Sequence, residues 1–266
     1  MFRTRLISGV ILLAIAVTVV VLGGNVLFAV ILAISIIGLN ELYKIVRVDK
    51  ALPGIIGYLG IIAYYGLLYF NLSEYQLMLF IFFLILLMFA YVFGFPKYST
   101  EQITVAFFGL FYVGIMLSYI YQVRMLEDGA WIVWLSFIGA WGSDTCAYVV
   151  GILIGKHKIA PELSPKKSLE GCIGGVIGAA LIGFLYATAI RSQITGIMNP
   201  QLVFALIGAA SSVISQIGDL AASAIKRNHN IKDYGTLIPG HGGILDRFDS
   251  IIFTAPIVYY LAVMLK

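Results

Sequence analysis

Charged residues are scarce in this chain. Asp, Glu, Lys and Arg make up 11% of its 266 residues, against about 25% in soluble globular domains, while hydrophobic residues reach 61% and mean hydropathy is +1.00. That balance excludes a soluble globule and defines an integral membrane protein. Cysteine is equally sparse: Cys146 and Cys172 are the only two, and they form no CxxC pair. Neither a disulfide framework nor a zinc site is expected, and both read as free thiols. No small-residue cleavage site follows the basic start and its apolar run to Leu22, so this stretch reads as a retained first helix. A phosphate-binding P-loop is missing too, because Gly151-Ile-Leu-Ile-Gly155-Lys156-His157 is one residue short and lacks the Ser or Thr. No inverted repeat is visible, and the buried carboxylates gather in the C-terminal half. Both features argue against an ion-coupled transporter, the alternative that charges inside spans would suggest.

What the chain has is long apolar runs. A helix needs about 20 residues to cross the ~30 Å hydrocarbon core. Nine apolar windows qualify, at about 6–22, 26–43, 55–70, 75–93, 105–122, 131–153, 172–190, 201–225 and 248–265. With the N-terminus inside, fourteen of the 17 Lys and Arg fall in interior segments, and only Arg124, Arg191 and Lys266 fall outside. The expectation is an all-α polytopic membrane protein of about nine spans, N-in and C-out. The net charge of +4 carries no functional weight, since interior Lys and Arg are a topology signal whatever the protein does. Within one integral membrane unit, residues 1–130 read as membrane scaffold and 131–266 as catalytic helices and cytoplasmic loops. In the scaffold, Tyr64-Tyr65 and the phenylalanines at 80, 82, 83, 107 and 108 read as interfacial belts and lipid-facing packing. Glu41, three residues before Lys44, reads as half of a local ion pair.

From Trp131 glycines, serines and carboxylates appear inside spans. Gly171, Gly174, Gly175 and Gly178 follow small-xxx-small spacing, which permits close helix packing without any ligand. Asp144 and Asp219 lie within the sixth and eighth windows, where an ionised side chain costs ~2.5–3.5 kcal/mol. Each is seven residues from a cytoplasmic span end, roughly 10 Å deep at 1.5 Å per residue. Ser215, Asp219, Ser223 and Lys226 form one polar stripe; Trp141, Asp144, Thr145 and Tyr148 form another; Asp246 and Asp249 share a third face. Acids from three helices facing one cavity need a cation, for which Mg²⁺ is the simplest choice.

Phosphate-binding elements surround these acids. Pro239-Gly240-His241-Gly242-Gly243 is a flexible run able to turn its N–H groups on an anion at the start of the ninth helix. Lys226, Arg227, Lys232 and Arg247 add cations. In Ser164-Pro165-Lys166-Lys167, Ser164 is expected to cap a helical turn that Pro165 opens, presenting both lysines. Taken singly, a Gly-Gly is a turn, lysines are topology signals and His229 is a loop residue. Together with buried carboxylates at one depth they indicate metal-assisted phosphoryl or nucleotidyl transfer at the inner membrane face.

Ser223 to Asp249 resembles the signature of the phosphatidate cytidylyltransferase (CDP-diacylglycerol synthase) family. That signature reads Ser-x-apolar-Lys-Arg, four residues, Lys-Asp-x-small, two residues, then apolar-Pro-x-His-Gly-Gly-apolar-x-Asp-Arg-apolar-Asp, and every specified position is met. A second block, from Trp141-Gly-Ser-Asp144 through Gly155-Lys156 to Ser164-Pro165-Lys166-Lys167-Ser168-x-Glu170-Gly171, is similar to the family's. It departs at Ile154, where Phe is common, and at Ser168, where Thr is common. The blocks and their flanking spans cover roughly 131–260.

The resemblance implies Mg²⁺-dependent attack of the phosphatidate phosphate on the α-phosphorus of CTP, giving CDP-diacylglycerol and pyrophosphate. It implies catalytic roles for Asp144, Asp219, Asp246 and Lys226. Metal would be held by Asp144, Asp219, Asp246 and Asp249, as Mg²⁺ alone or with a second cation. The substrates would be held by Ser223, Arg227, Lys232, His241, Gly242, Gly243, Arg247, Lys166 and Lys167. Expected partners are CTP, phosphatidic acid and the lipid bilayer, with no nucleic acid, and a homodimer is carried as an expectation. The expected location is a bacterial-type cytoplasmic membrane with the active site facing the cytoplasm. An ether-lipid cytidylyltransferase and a polyprenol kinase remain as alternatives.

Overall fold

A computed structural model describes residues 2–265, with side chains from residue 6. Met1 and Lys266, on which the N-in, C-out expectation is framed, lie outside the described residues, and so do the side chains of Arg3 and Arg5. The chain is helical, with nine long elements among the described residues: α1 (Phe2–Leu22), α2 (Gly24–Ile45), α3 (Leu52–Tyr69), α4 (Gln76–Phe93), α5 (Thr100–Arg124), α6 (Gly129–Ile154), then a hairpin of β1 (Lys158–Ala160) and β2 (Ser164–Ser168), followed by α7 (Leu169–Ala189), α8 (Pro200–Asn228) and α9 (Leu245–Met264). Eight of these helices are long and apolar enough to cross a membrane, and the apolar part of α1, Leu6–Leu22, is shorter. Their bounds follow the apolar windows because an uninterrupted run lets every backbone group bond within its own helix, the one arrangement open to a lone chain in hydrocarbon.

Two compact units form, and their segments interleave in sequence. One comprises residues 2–12, Asn25–Ser118 and Asp233–Arg247; the other comprises Leu13–Gly24, Tyr119–Lys232 and residues 248–265. The glycine-rich stretch before α9 thus folds with the N-terminal helices.

In the first unit α3 packs against α4 and α5 around fully buried Leu39, Ile61, Leu87 and Leu110. Tyr64 and Tyr65 belong to this core, 2% and 1% exposed, and do not form the expected lipid-facing belt. Their hydroxyls meet Ser118 Oγ at 3.1 Å and Ser35 Oγ at 2.8 Å, so the phenol ends need no water. Phe83 is buried as well, whereas Phe82 is exposed as expected.

The second unit is built on α6, α7 and α8. Small residues set its spacing: a Cβ on Gly174 would strike Val150, one on Gly175 would meet Ser143 and Ala147, and one on Gly208 would meet the carbonyl of Ala179. Helices with such interfaces approach closely enough for short polar side chains to bond across them. Ser143 Oγ on α6 lies 2.6 Å from Ser212 Oγ on α8, and Gln216 of α8 donates from Nε2 to the Cys172 carbonyl of α7 at 3.1 Å.

Ser164–Ser168 corrects the sequence reading. It is a strand, paired antiparallel with β1 at Lys158↔Ser168 and Ala160↔Ser164. The helix starts later, where Ser168 accepts from the Gly171 amide at 3.2 Å. Ser168 occupies the β-region that suits an N-cap (φ −117°, ψ 154°), and pairing with β1 supplies Ser164–Ser168 with the backbone partners a helical turn would otherwise have given.

Candidate active site

In the second unit three carboxylates come within electrostatic reach of one another: Asp144 on α6, Asp219 on α8 and Asp249 on α9. Each is delivered by a local peculiarity of its helix. Asp144 follows a wide π-type turn, Ile138–Gly142, which interrupts α6 just before the residue. Asp219 follows Gly218, where a Cβ would lie 3.0 Å from the Asp249 carbonyl oxygen and 2.6 Å from the Phe253 ring. Only glycine lets α8 and α9 approach there, and that approach sets Asp219 beside Asp249. Asp249 is half-buried, and its Oδ1 accepts from the Ser250 amide at 2.7 Å.

Two lysines answer these acids. Lys167, on β2, places Nζ 2.6 Å from Asp219 Oδ2 and 3.4 Å from the Gln216 carbonyl oxygen. Lys226, two turns after Asp219 on α8, lies within charge reach of Asp249. Ser215, one turn before Asp219, is fully buried, and its hydroxyl has no hydrogen-bond partner among the described residues. Ser223, one turn after Asp219, is half-buried, while Arg227 and Lys232 are exposed.

A cavity of about 400 Å³ opens beside this cluster, lined among others by Asp144, Tyr148, Lys158, Lys166, Lys167 and Gln216. The β1–β2 hairpin forms its basic wall. Glu170 fixes the hairpin's base, its Oε2 accepting from the amides of Lys156 at 3.0 Å and His157 at 3.2 Å while Oε1 meets His157 Nδ1 at 2.5 Å.

The remaining predicted residues belong to the first unit. Asp246, 7% exposed, accepts through Oδ2 from the amides of Tyr234 at 2.7 Å and Gly243 at 3.0 Å. Gly242 has φ +85°, a left-handed conformation that admits a side chain only with strain, and a Cβ there would sit 2.8 Å from Asp246 Oδ2. His241 Nδ1 lies 2.9 Å from Ser8 Oγ on α1, and Arg247 is exposed.

Glu41 is the buried carboxylate whose role sequence reasoning missed. It is 5% exposed and, where a local ion pair with Lys44 was expected, accepts from the amides of Ile244 at 3.0 Å and Leu245 at 2.9 Å, capping the first turn of α9. A Cβ on Gly243 would lie 2.5 Å from both of its carboxylate oxygens. The signal was available, since a carboxylate within an apolar helix needs a partner wherever it lies. The amide of Gly243, expected to line an anion site, and those of Ile244 and Leu245 at the start of α9 are thus engaged by the chain's own carboxylates.

Among the described residues no three His, Cys, Asp or Glu side chains converge closely enough to hold a metal ion by themselves. Mg²⁺ seldom asks for that. It retains waters and is bound through one or two carboxylates together with substrate phosphates, so the hard-oxygen set of Asp144, Asp219 and Asp249 fits it chemically.

Fold and site together define a polytopic helical membrane protein with an acidic cluster in its C-terminal helices and a lysine-bearing hairpin beside it. The cytidylyltransferase family model matches residues 3–265, and the chain belongs to that family. It is similar to proteins named phosphatidate cytidylyltransferase from Bacillus subtilis (38% identical over 151 residues, 56% of this chain and 54% of the relative), Synechocystis (38% over 202 residues, 64% and 66%) and Staphylococcus aureus (37% over 154 residues, 57% and 56%). The chain thus spans between about half and two thirds of the length of these relatives.

Proposed function

We propose that this protein transfers CMP from CTP to phosphatidic acid, giving CDP-diacylglycerol and pyrophosphate, at the cytoplasmic face of a bacterial-type inner membrane. The observation that carries the reading is the cluster of Asp144, Asp219 and Asp249 with Lys167 and Lys226, within a chain of the cytidylyltransferase family. An oxygen of the lipid phosphate forms a bond to the α-phosphorus of CTP as the bond from that phosphorus to the β-phosphate bridging oxygen breaks, and the pyrophosphate leaves with that electron pair. The lipid supplies the nucleophile, so no nucleophilic side chain is required. What the protein must do is bring two anions together and offset the charge that builds up on the leaving group.

Lys158, Lys166 and Lys167 on the hairpin and Lys226 on α8 suit that task, as point charges on flexible stems. Asp144, Asp219 and Asp249 would hold Mg²⁺, which when bound polarises phosphoryl oxygens as a Lewis acid. Asp246 holds the Tyr234 and Gly243 amides, and hence the glycine turn that carries His241. The test is incubation of the purified protein with phosphatidic acid and CTP labelled at the α or the γ phosphate. Label from the α position alone should enter lipid; γ-label in lipid would make the protein a kinase and overturn the reading.

A further inference from the structure

Lys167 is an unusual neighbour for a carboxylate assigned to a metal. Its ammonium takes the position, 2.6 Å from Asp219 Oδ2, that a hard cation would take, and the side chains of the pair are only 20% and 32% exposed, so solvent screens them less than a surface pair. Asp144 lies in reach of the same charge. Among the described residues Lys167 and Lys226 lie within charge reach of this acidic cluster. Lys167 is also held from elsewhere: it projects from the hairpin that carries Lys158 and Lys166 into the 400 Å³ cavity, and its second contact is a carbonyl oxygen at 3.4 Å. One side chain therefore serves two places, the acids on one side and the basic cavity wall on the other.

We propose that Lys167 is the resident counter-ion of the acidic cluster, which a divalent cation must displace, and that nucleotide phosphates relieve this competition by drawing Lys167 into the cavity. Nucleotide and cation then bind cooperatively through one lysine. Because coupling between two binding equilibria is reciprocal, the cation must raise nucleotide affinity by the same factor. Lysine suits such a role better than arginine, since its single charge moves freely on four methylenes and is not fixed by a bidentate fork.

The inference rests on the metal assignment made above, and its test separates the two. Mn²⁺ binding to the full-length protein in detergent is measured by electron paramagnetic resonance, with and without α,β-methylene-CTP, whose α–β bond cannot be cleaved. In the wild type the analogue should tighten Mn²⁺ binding about tenfold, within the range usual for coupled sites. Lys167→Met should bind Mn²⁺ about tenfold more tightly than wild type without nucleotide and gain little more when the analogue is added. Lys167→Gln should behave alike, and serves if the Met variant does not fold. Unchanged or weaker Mn²⁺ affinity in both variants, with wild-type binding intact, overturns the counter-ion role alone. No Mn²⁺ binding to wild type under either condition overturns the metal assignment and the inference with it.

Discussion

Asp219 and Glu41 are both carboxylates inside apolar helices, and they do opposite work. Asp219 pairs with the Lys167 ammonium and lies beside Asp249, whereas Glu41 commits both oxygens to backbone amides. Asp219→Asn should lower turnover by at least about 10²-fold, the scale of losing one preorganised electrostatic group, while detergent melting stays near wild type; retained turnover would remove Asp219 from the site. Glu41→Ala should do the reverse, stranding two buried amides at about 1–3 kcal/mol each. Differential scanning in detergent should show a clearly lowered melting temperature, with Glu41→Gln intermediate because its amide oxygen can take only one of the two donors well. Equal melting of Glu41→Ala and wild type would contradict the cap. Asp144, Asp219 and Asp249 were legible because spacing and depth could be read along single helices. Glu41 was misread because its partners are more than two hundred residues away, and the nearest cation in sequence offered an easier explanation.

At the scale of elements, apolar windows located the helices well and polar segments poorly. Ser164-Pro165 carries local helix-start chemistry, yet the backbone pairing offered by Lys158–Ala160 decides the outcome, and a cross-strand partner leaves no mark in the local sequence. The π-type turn at Ile138–Gly142 was equally invisible, since no composition rule marks it. Such a turn accommodates one extra residue per turn, and each residue of an α-helix rotates its successor by about 100°. Inserting an alanine after Ala140, beyond what the turn accommodates, should therefore rotate Asp144 by about 100° away from Asp219 without removing any charged group. Product formation should fall by at least about 10²-fold while the protein still inserts and melts cooperatively. An active insertion variant would show that the phase of α6 does not aim Asp144.

At the scale of the whole molecule, the charge bias makes a claim about sidedness that can be checked directly. In a background with Cys146→Ser and Cys172→Ser, Lys158→Cys should react with an impermeant maleimide only in inverted vesicles and Arg191→Cys only in right-side-out vesicles; both positions are exposed. Labelling of both from one side would break the alternation on which the nine-span reading depends. The interleaved units also mean that residues 131–266 are not a module in their own right, because their stretch from Asp233 to Arg247 completes a fold begun by α2. Glu41 and its two amide donors are 203 and 204 residues apart. At a synthesis rate of about 5–20 residues per second, a newborn chain carries that carboxylate into the bilayer roughly 10–40 seconds before its partners exist. The second helix is therefore inserted on credit against the last one, and a ribosome that stalls after Lys232 releases a chain whose N-terminal half is itself unfinished, a natural target for membrane quality control.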